Sequence, residues 1–526
     1  MRIKILHIIL ILTICSLTIF SQVRPVNYDL RPGHKLAKIT GDDTPGSNDI
    51  SELIVIGDTT IVATNDGISI TTDNGISWNN YYSKNIFSDN NIYALGYNNG
   101  VIWVSLGTRY TDETTKGLVD EGKGLAYSSD MGKNWISIPQ PLDSNADSII
   151  VYGINNIRAL PVTVPQQNIT FDISFTTGTV WITSFAGGLR KSTDNGLTWK
   201  RIILPPDYLD HIAPTDTLNF CLSPSKGKFC SEGNLNHGAF SVLAINDTTL
   251  FVGTAGGINK STDGGVSWTK FNHTNQSNPI SGNWGTYLDY NSVTKTLWAS
   301  TWKTEGSTEF YGASTTSNGG NTWKTFLPGV KTLNFGFKNS DVIATSTEGV
   351  FRTNNSGVSW VSPTSIIDND SKISLQTNIF FDAGSDGQDI WLASGDGLVK
   401  FTETGGMWIG KWKIYNASKS LASTTDSYAF PNPFFPKFGA LKIKYSTSGK
   451  VLPVTIRIFD FSMNYVKTII QNVQKGGSVT SSTNLSEIDF WDGKDGSGRL
   501  VSNGVYFYRI DRGDEQPLFG KILVIQ

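Results

Sequence analysis

Short stretches that alternate apolar and polar residues recur along residues 51–416. Examples are NNIYALGY, AFSVLAIN and TLNFGFKN. Each is followed by a second β-rich stretch of about five residues, a Gly-containing link, a third short stretch and a polar turn. An apolar period of two is typical of half-buried β-strands. The pattern therefore predicts a repeating unit of four short strands.

The polar turn has a fixed form, Ser/Thr-x-Asp/Asn-x-Gly-x-x-Trp. We name its six copies the aspartate turns: Thr71–Trp78, Ser128–Trp135, Ser192–Trp199, Ser261–Trp268, Thr316–Trp323 and Thr353–Trp360. Their acidic or amide residues are Asp73, Asp130, Asp194, Asp263, Asn318 and Asn355, and their tryptophans are Trp78, Trp135, Trp199, Trp268, Trp323 and Trp360. The short polar side chain can accept backbone N–H groups of its own turn, and the glycine supplies a positive φ. Each turn is therefore predicted to join the third and fourth strands of one unit.

A degenerate seventh copy follows at 398–412. The spacings between successive tryptophans of the six turns are 57, 64, 69, 55 and 37 residues. Irregular spacing around a constant four-strand unit is typical of propeller blades with variable loops. We therefore predict an all-β fold, a seven-bladed β-propeller over residues 51–416, followed by a small Ig-like β-sandwich.

The aspartate turns resemble the Asp-box, or BNR, repeats of sialidases, of the sortilin ectodomain and of many secreted bacterial propellers. The resemblance covers residues 51–416. It implies a propeller in which these residues are structural and lie at blade corners, away from the usual ligand face. It says little about function.

Long insertions are expected on the opposite face, where ligand sites are added to such scaffolds. They are the predicted loops 107–124 and 302–312 and the links 138–169 and 205–238, which place the elaborated face over blades 2–5. The candidate ligand-binding residues there are Tyr110, Asp112, Glu113, Tyr208, Asp210, His211, Trp302, Glu305 and Tyr311. Mixed aromatic and carboxylate side chains suit contacts with a glycan or a protein. Taken singly, each is better interpreted as an ordinary solvated loop residue.

The sequence carries no catalytic signature. A sialidase would need an Arg-Ile-Pro segment and three substrate-binding arginines, and this pattern is missing. A carboxylate-dependent glycan hydrolase or lyase on the same face is the alternative to a binding protein. Asp112, Glu113, Asp210 and Glu305 could supply its carboxylate pair, although nothing in the sequence pairs them. No cofactor and no metal site are predicted.

Residues 1–21 have the layout of a secretory signal peptide: Arg2 and Lys4, then an apolar run, then small polar residues. An N-terminal membrane anchor is the alternative, and no transmembrane segment is predicted in the mature chain. Residues 22–50 are predicted to include a ring-closing strand. Cys221 and Cys230 are predicted to form a disulfide in an oxidising compartment, and a metal site with His237 is the weaker interpretation.

After a polar linker at 417–427, residues 428–526 alternate again and predict a small sandwich. This region resembles the Ig-like C-terminal sorting domain of type IX secretion cargo, which is related to a domain of the flagellar hook-capping protein. The matching positions are Pro431-Asn432-Pro433-Phe434, Trp491-Asp492-Gly493, Gly496, Gly498, Gly504-Val505-Tyr506 and Lys521. The resemblance implies export through the outer-membrane secretion machinery of a Bacteroidota-like cell. The final KILVIQ departs from the family, which often ends in a basic residue, and an ordinary adhesive Ig-like domain is the alternative.

The chain has 43 basic and 45 acidic residues and a formal net charge of −2. This balance argues against nucleic acid as a partner, because nucleic-acid binding depends on a basic surface. We therefore predict a secreted or cell-surface protein that binds a glycan or a protein. A self-associating surface-layer component is a third possibility.

Overall fold

The computed structural model describes residues 44–64, 67–81, 87, 90–113, 116–369, 374–375, 377–416, 426–430, 432–436, 440–476 and 487–526. The predicted signal peptide, most of the 22–50 segment, most of the 417–427 linker and Pro431 lie outside these residues. The described residues fall into two compact units. One contains those within 81–348 and 353–359, and the other those within 44–80, 349–352 and 360–526.

The described structure consists of strands and turns, with a 3-10 turn at Leu235–His237. The all-β prediction is confirmed. No helix in the described part of the chain is long and apolar enough to cross a membrane.

The strands follow one another in short sheets. The first sheet, at the start of the second unit, contains β1 (Ile50–Ile56), β2 (Thr59–Thr64), β3 (Gly67–Thr71) and β4 (Asn79–Tyr81). The first unit continues with β5 (Asn91–Asn98), β6 (Val101–Thr111), β7 (Leu118–Ser128) and β8 (Ile136–Ile138). An additional small sheet contains β9 (Ile149–Tyr152) and β10 (Asn155–Ala159).

The next sheet contains β11 (Asp172–Thr176), β12 (Thr179–Ser184), β13 (Gly188–Ser192) and β14 (Lys200–Arg201). Two short strands follow in the link, β15 (His211–Ile212) and β16 (Cys221–Leu222), and β16 joins the small sheet beside β10. The following sheet contains β17 (Ala239–Ala244), β18 (Leu250–Thr254), β19 (Gly257–Ser261) and β20 (Trp268–Phe271).

The last strands of the first unit are β21 (Trp284–Asn291), β22 (Thr296–Glu305), β23 (Thr308–Thr316) and β24 (Lys324–Phe326), then β25 (Thr332–Lys338) and β26 (Asp341–Ser346). After β27 (Val350–Thr353), the second unit continues with β28 (Phe380–Ser385), β29 (Asp389–Ser394), β30 (Gly397–Glu403) and β31 (Gly410–Tyr415). Sheets of four strands in chain order are the blade unit of a β-propeller.

Neighbouring sheets of the first unit pack face to face. Trp103 and Leu125 of the β5–β8 sheet share a buried cluster with Ile173 and Ile182 of the β11–β14 sheet. Similar clusters join the later sheets of this unit. A single four-stranded sheet buries too little apolar surface to be stable alone, so each sheet depends on its neighbours.

The aspartate turns are held by one hydrogen-bond pattern in all six copies. The first hydroxyl donates to the Asp or Asn Oδ1 at 2.7–2.9 Å and accepts the glycine N–H at 2.8–3.0 Å. The same Oδ1 accepts the N–H of the residue before the tryptophan at 2.8–3.0 Å. That residue is always Ser, Thr or Asn, and its side chain bonds back to the carboxylate or amide. This fifth recurring position is not part of the predicted turn motif.

The glycine of a turn also touches the preceding sheet. Gly265 has a φ of +82°, and a Cβ there would lie 2.8 Å from Trp181 of the preceding sheet. Gly75 of the first sheet is in the same way packed against Trp391 and Tyr415 of the β28–β31 sheet. The Leu53 N–H of β1 donates to Asp382 Oδ2 of β28 at 2.9 Å. Within the second unit, the first and last blade sheets are therefore in direct contact.

Two predicted loops are strand extensions. Residues 107–124 continue the β6–β7 ladder outward to the pair Thr111 and Leu118. Residues 302–312 continue β22–β23 to the pair Glu305 and Thr308. The prediction of loops was wrong because these residues lie on strands that project beyond their sheets, and each projecting hairpin is only partly exposed to solvent. The 205–238 link also differs from the prediction, since β15 pairs with β20 and extends the outer edge of its sheet.

Residues 426–526 form two sheets around one core. The smaller contains β32 (Ser427–Phe430), β33 (Leu441–Tyr445) and β36 (Ile488–Trp491). The larger contains β34 (Leu452–Phe459), β35 (Tyr465–Lys475), β37 (Gly504–Arg512) and β38 (Glu515–Val524), in the order β35-β34-β37-β38. Side chains of both sheets, including Ile443, Ile456 and Tyr508, share one buried cluster. The arrangement is a sandwich of the predicted size, and its Ig-like identity stays a prediction.

The turn hydrogen bonds predict a difference between two substitutions at Asp263. Asp263→Ala removes the acceptor of the Ser267 N–H and should lower the free energy of unfolding by about 1 kcal/mol. Asp263→Asn should change it much less, because Asn318 and Asn355 perform the same role in other turns. Thermal unfolding followed by circular dichroism compares the two variants. Equal losses would contradict the hydrogen-bond account.

The same bonds predict acid sensitivity. Hydrogen bonds from the side chain and N–H of Ser77 lower the pKa of Asp73 to about 2, and those of Thr198 do the same for Asp194. Since the folded pKa lies below the ordinary value, the stabilisation is present above the ordinary pKa and is lost as the pH falls toward about 2. We expect the Tm of the wild type to fall more steeply on acidification than that of Asp73→Asn/Asp194→Asn. Parallel Tm curves against pH would contradict this.

Candidate functional site

The nine predicted ligand-binding residues lie on three elements of the first unit. The projecting β6–β7 hairpin carries Tyr110, Asp112 and Glu113. The segment leading into β15 carries Tyr208, Asp210 and His211, and the projecting β22–β23 hairpin carries Trp302, Glu305 and Tyr311. The structure connects the second and third groups through the 272–275 turn that follows β20.

The β6–β7 hairpin is stiffened at its base. Arg109 donates two hydrogen bonds to Asp120 across the hairpin, at 2.7 and 3.1 Å. Gln167 N–H donates to the Asp120 carbonyl, which ties the hairpin to the 138–169 link. Tyr110, two-fifths exposed, therefore stands on a fixed hairpin rather than on a free loop.

The segment leading into β15 is held by hydrogen bonds from strand β20 and from the turn that follows β20. Lys270 N–H donates to the Asp210 carbonyl at 2.7 Å, and the buried Lys270 ammonium donates to the carbonyls of Pro206 and Asp207. Asn275 Nδ2 donates to Asp210 Oδ1 at 2.9 Å. His211 Nδ1 lies 3.2 Å from the Thr269 hydroxyl. Asp210 and His211 are exposed, with their backbones held in place.

The 272–275 turn brings a histidine to the third group. Asn272 Oδ1 accepts the N–H groups of Thr274 and Asn275, which closes the turn. His273 Nδ1 lies 2.7 Å from the Ile280 carbonyl, so this nitrogen carries the proton. His273 Nε2 therefore accepts from the Lys303 ammonium at 3.3 Å, and Lys303 donates to Glu305 at 2.6 Å.

His273 is the residue that the sequence analysis missed. The available signal was that only five histidines occur in the chain, and that this one lies in a link on the elaborated face. Its neighbour Lys303 stands on the same hairpin face as Glu305, with its ammonium 5.6 Å from the centre of the Phe310 ring. We name the surface formed by Asp210, Asn275, His273, Lys303 and Glu305 the polar shelf.

The other face of the β22–β23 hairpin is closed. Trp302 is 3% exposed and stacks on Trp284 at 4.8 Å, and Tyr311 lies 5.8 Å from it on its own sheet. The Trp284 ring is covered in turn by Phe240, and the centres of these two rings lie 5.4 Å apart. These contacts make Trp302 a support for the hairpin, and they leave its ring no open face for a ligand.

Charges on the shelf are locally balanced. The hydrogen bond and the charge of Lys303 lower the pKa of Glu305, so this exposed carboxylate remains ionised. Burial lowers the pKa of Lys331, whose ammonium lies 5.0 Å from the centre of the Tyr311 ring. Tyr311 donates in turn to the Glu309 carboxylate. The shelf thus presents an ionised carboxylate and an ammonium at fixed positions, and the His273 imidazole, whose two nitrogens are both hydrogen-bonded, holds the ammonium in place.

Cys221 and Cys230 form the predicted disulfide. His237 is not available to a metal beside it, because its Nδ1 accepts the Ser223 N–H and its Nε2 donates to the Leu204 carbonyl. Burial lowers the pKa of His237 to about 3, which keeps the ring neutral. Within the described residues, no group of three or more His, Cys, Asp or Glu side chains could hold a metal ion.

Asp143 fastens the 138–169 link to the blade beneath it. Arg190 and Arg201 are neighbours across β13 and β14, and both donate to Asp143, at 2.7 and 3.3 Å. Burial alone would raise the pKa of Asp143, but the hydrogen bond and charge of Arg190 and the charge of Arg201 outweigh it, and the pKa is lowered. The carboxylate is therefore the counter-ion of two buried guanidinium groups.

Comparison with known proteins shows no match to a protein-family model and none to a curated protein. Among solved structures, the GH74 enzyme of Niastella koreensis is 14% identical over 92% of this chain and 74% of that chain, with a TM-score of 0.48. An ancestral GH74 enzyme is 13% identical over 92% of this chain and 64% of that chain, with a TM-score of 0.49. PorZ, a surface component of the type-IX secretion system of Porphyromonas gingivalis, is 12% identical over 91% of this chain and 66% of that chain, with a TM-score of 0.37. Likenesses at these scores support no statement about function.

The Asp143 contacts predict a large effect of Asp143→Ala. Removing the shared counter-ion leaves two buried guanidinium groups unpaired, which should cost about 3–5 kcal/mol of unfolding free energy. The 138–238 region should become more sensitive to limited proteolysis. Asp511→Asn is the matched control, because Asp511 also pairs with two arginines, Arg457 and Arg509, but these guanidinium groups are exposed and the loss of stability should be small. An Asp143→Ala protein with wild-type stability would contradict the prediction.

Proposed function

We propose that this chain is a secreted or cell-surface binding protein, and that its elaborated face over blades 2–5 recognises a glycan or a protein. The polar shelf is the observation that carries the proposal. It joins the outer strand β15, the 272–275 turn and the β22–β23 hairpin into one surface, through the contacts of Asn275 with Asp210 and of His273 with Lys303.

The chemistry of the shelf suits a glycan. Sugar hydroxyls both donate and accept hydrogen bonds, and the shelf offers the carboxylate acceptors of Asp210 and Glu305 and the ammonium donor of Lys303. Tyr208 and Phe310 are exposed nearby along the chain and provide apolar surface for a sugar ring. Since the side chains are already held by hydrogen bonds, little conformational entropy is lost on binding.

We propose the remaining architecture with this function. Residues 1–21 are a signal peptide, 51–416 an Asp-box propeller of seven blades, and 428–526 an Ig-like sorting domain that brings the chain to the outer-membrane secretion machinery. The described sheets support the blade count, and the contact of β1 with β28 supports closure of the ring. The disulfide supports an extracellular location, because such bonds persist in oxidising compartments.

A hydrolase is the second candidate, and one observation favours it. Burial, together with the charge of Asp172, raises the pKa of Asp289 to about 7. Asp172 accepts the N–H groups of Ile173 and Val242, which favour its ionised form. The contacts of Asp172 recur at Asp382, which accepts the N–H groups of Ala383 and Leu53, so they also serve to link first strands. Asp289 and Asp172 match the pair that glycan hydrolysis uses in their protonation states alone. Both residues lie on first strands of blade sheets, β11 and β21, away from the polar shelf.

The test is retention of the purified protein on a panel of immobilised polysaccharides, with product analysis of the same mixtures. We expect retention without release of reducing ends, and about tenfold weaker binding for Glu305→Ala and His273→Ala. Glu515→Gln is the matched control, because Glu515 also pairs with a lysine at 2.6 Å on the surface, in the C-terminal region. Its binding should equal that of the wild type.

Two outcomes would contradict the binding proposal. Equal retention of wild type, Glu305→Ala and His273→Ala would place the ligand elsewhere. Release of reducing ends that is lost in Asp289→Asn would identify a hydrolase instead.

A further inference from the structure

Strand β33 of the sandwich carries a buried lysine on the face away from the sandwich core. Leu441 and Ile443 belong to the core cluster, and side chains alternate along a strand, so Lys442 points to the other face. Lys442 is 3% exposed, and its ammonium lies 6.0 Å from the centre of the Phe490 ring on the neighbouring strand β36. A buried ammonium on this face needs polar partners from outside the sandwich.

Those partners lie at the end of the propeller, in the same compact unit as the sandwich. The Lys442 ammonium donates to Asp396 Oδ1 at 2.5 Å and to Asn416 Oδ1 at 2.8 Å. Asp396 is buried in the turn between β29 and β30, and Asn416 follows β31 directly and is half-buried. One amine therefore meets a carboxylate and a side-chain amide, each at hydrogen-bond distance.

The carboxylate and the amide are both held by their own blade sheet. The Ser394 hydroxyl donates to the Gly397 carbonyl at 2.6 Å and accepts the Asp396 N–H at 3.2 Å, which closes the turn that carries the carboxylate. Tyr415, the residue before the asparagine, stacks on Trp391 with 5.7 Å between the ring centres. Groups that are already positioned in this way react as one molecule, without the entropy cost of bringing them together.

A buried amine, a carboxylate and an amide are the three groups that formation of an isopeptide bond requires. A lysine is a nucleophile only after it loses its proton, and an adjacent carboxylate can take that proton. In a buried site this transfer converts an ion pair into two neutral groups, which removes the cost of keeping two charges away from water. The amide is then the electrophile, and the protonated carboxyl group can donate a proton to the departing nitrogen.

We propose that Lys442 and Asn416 form an intramolecular isopeptide bond, with Asp396 as the acid–base group. Asp396 takes a proton from the ammonium, the Asn416 amide turns about its Cβ–Cγ bond, and Lys442 Nζ attacks Cγ. The Nζ–Cγ bond forms, Asp396 returns its proton to Nδ2, and the Cγ–Nδ2 bond breaks. The new amide keeps one hydrogen on Nζ, ammonia leaves with three, and the remaining proton goes to Asp396 or leaves with ammonia as ammonium. The reaction needs no oxidant, reductant or other reactant.

The bond would determine how the sandwich stays attached, and it is independent of the proposed ligand binding. It closes a loop from residue 416 to residue 442, and this loop contains the 417–427 linker. A cut in the backbone between these two positions would leave the propeller and the sandwich covalently joined. The half-buried position of Asn416 gives the released ammonia access to solvent.

Mass spectrometry of the full mature protein tests this. We expect a branched tryptic peptide that joins residues 414–419 to residues 438–444 and is lighter than their sum by one ammonia, because trypsin does not cut at an amidated Lys442. Cyclisation of an asparagine or of an N-terminal glutamine also releases ammonia, so the branched peptide decides and the intact mass alone does not. Lys442→Arg retains the charge and should lack the branched peptide. Asp396→Asn should lower the linked fraction at least about tenfold.

Lys475→Arg is the matched control. Lys475 also pairs with a buried carboxylate, that of Asp489, at 2.8 Å, but this carboxylate accepts from the Tyr445 hydroxyl and is not beside an asparagine amide in the same way. The control should carry the branched peptide as the wild type does. Folded wild-type protein that yields only linear peptides overturns the proposal, as does a branch at a different lysine. Equal linkage in Asp396→Asn overturns the role given to Asp396.

Discussion

The blade architecture depends on the hydrogen bonds within each aspartate turn. The first hydroxyl and the Asp or Asn side chain bond to the glycine N–H and to the N–H and side chain of the residue before the tryptophan. All of these groups lie within eight residues, so the hydrogen bonds need no partner outside the turn. The turn also places its glycine against a neighbouring sheet: Gly265 lies against Trp181, and Gly75 lies against Trp391. A local turn thereby sets the spacing between neighbouring sheets.

The additions to the blade sheets lie on more than one side of the scaffold. The β6–β7 and β22–β23 hairpins extend from the strand ends opposite the aspartate turns, whereas Tyr152 of the 138–169 link donates to the Val266 carbonyl within the Ser261–Trp268 turn. Each addition has its own buried polar anchor. Asp143 holds the 138–169 link through two arginines, Asp120 holds the β6–β7 hairpin, and Lys270 holds the segment before β15. The additions are consequently folded surfaces, and a folded surface with exposed polar groups is what ligand recognition requires.

Electrostatics separates the two functional candidates. On the polar shelf, Lys303 lowers the pKa of Glu305, which suits a carboxylate that accepts hydrogen bonds and does not suit a general acid. The raised pKa belongs to Asp289, on the first strand of its blade sheet. The lowered and the raised carboxyl pKa therefore belong to different parts of the first unit.

The sequence by itself determined the strand type, the repeating unit, the turn chemistry and the disulfide, because these depend on residues close together along the chain. Even there it missed the fifth turn position, exemplified by Ser77. It did not show that 107–124 and 302–312 are strands, that Trp302 is buried, or that His273 meets Lys303. Those features join residues up to tens of positions apart, and packing between sheets decides them. Periodicity reports which face of a strand is apolar, whereas only the tertiary structure decides which neighbour covers that face.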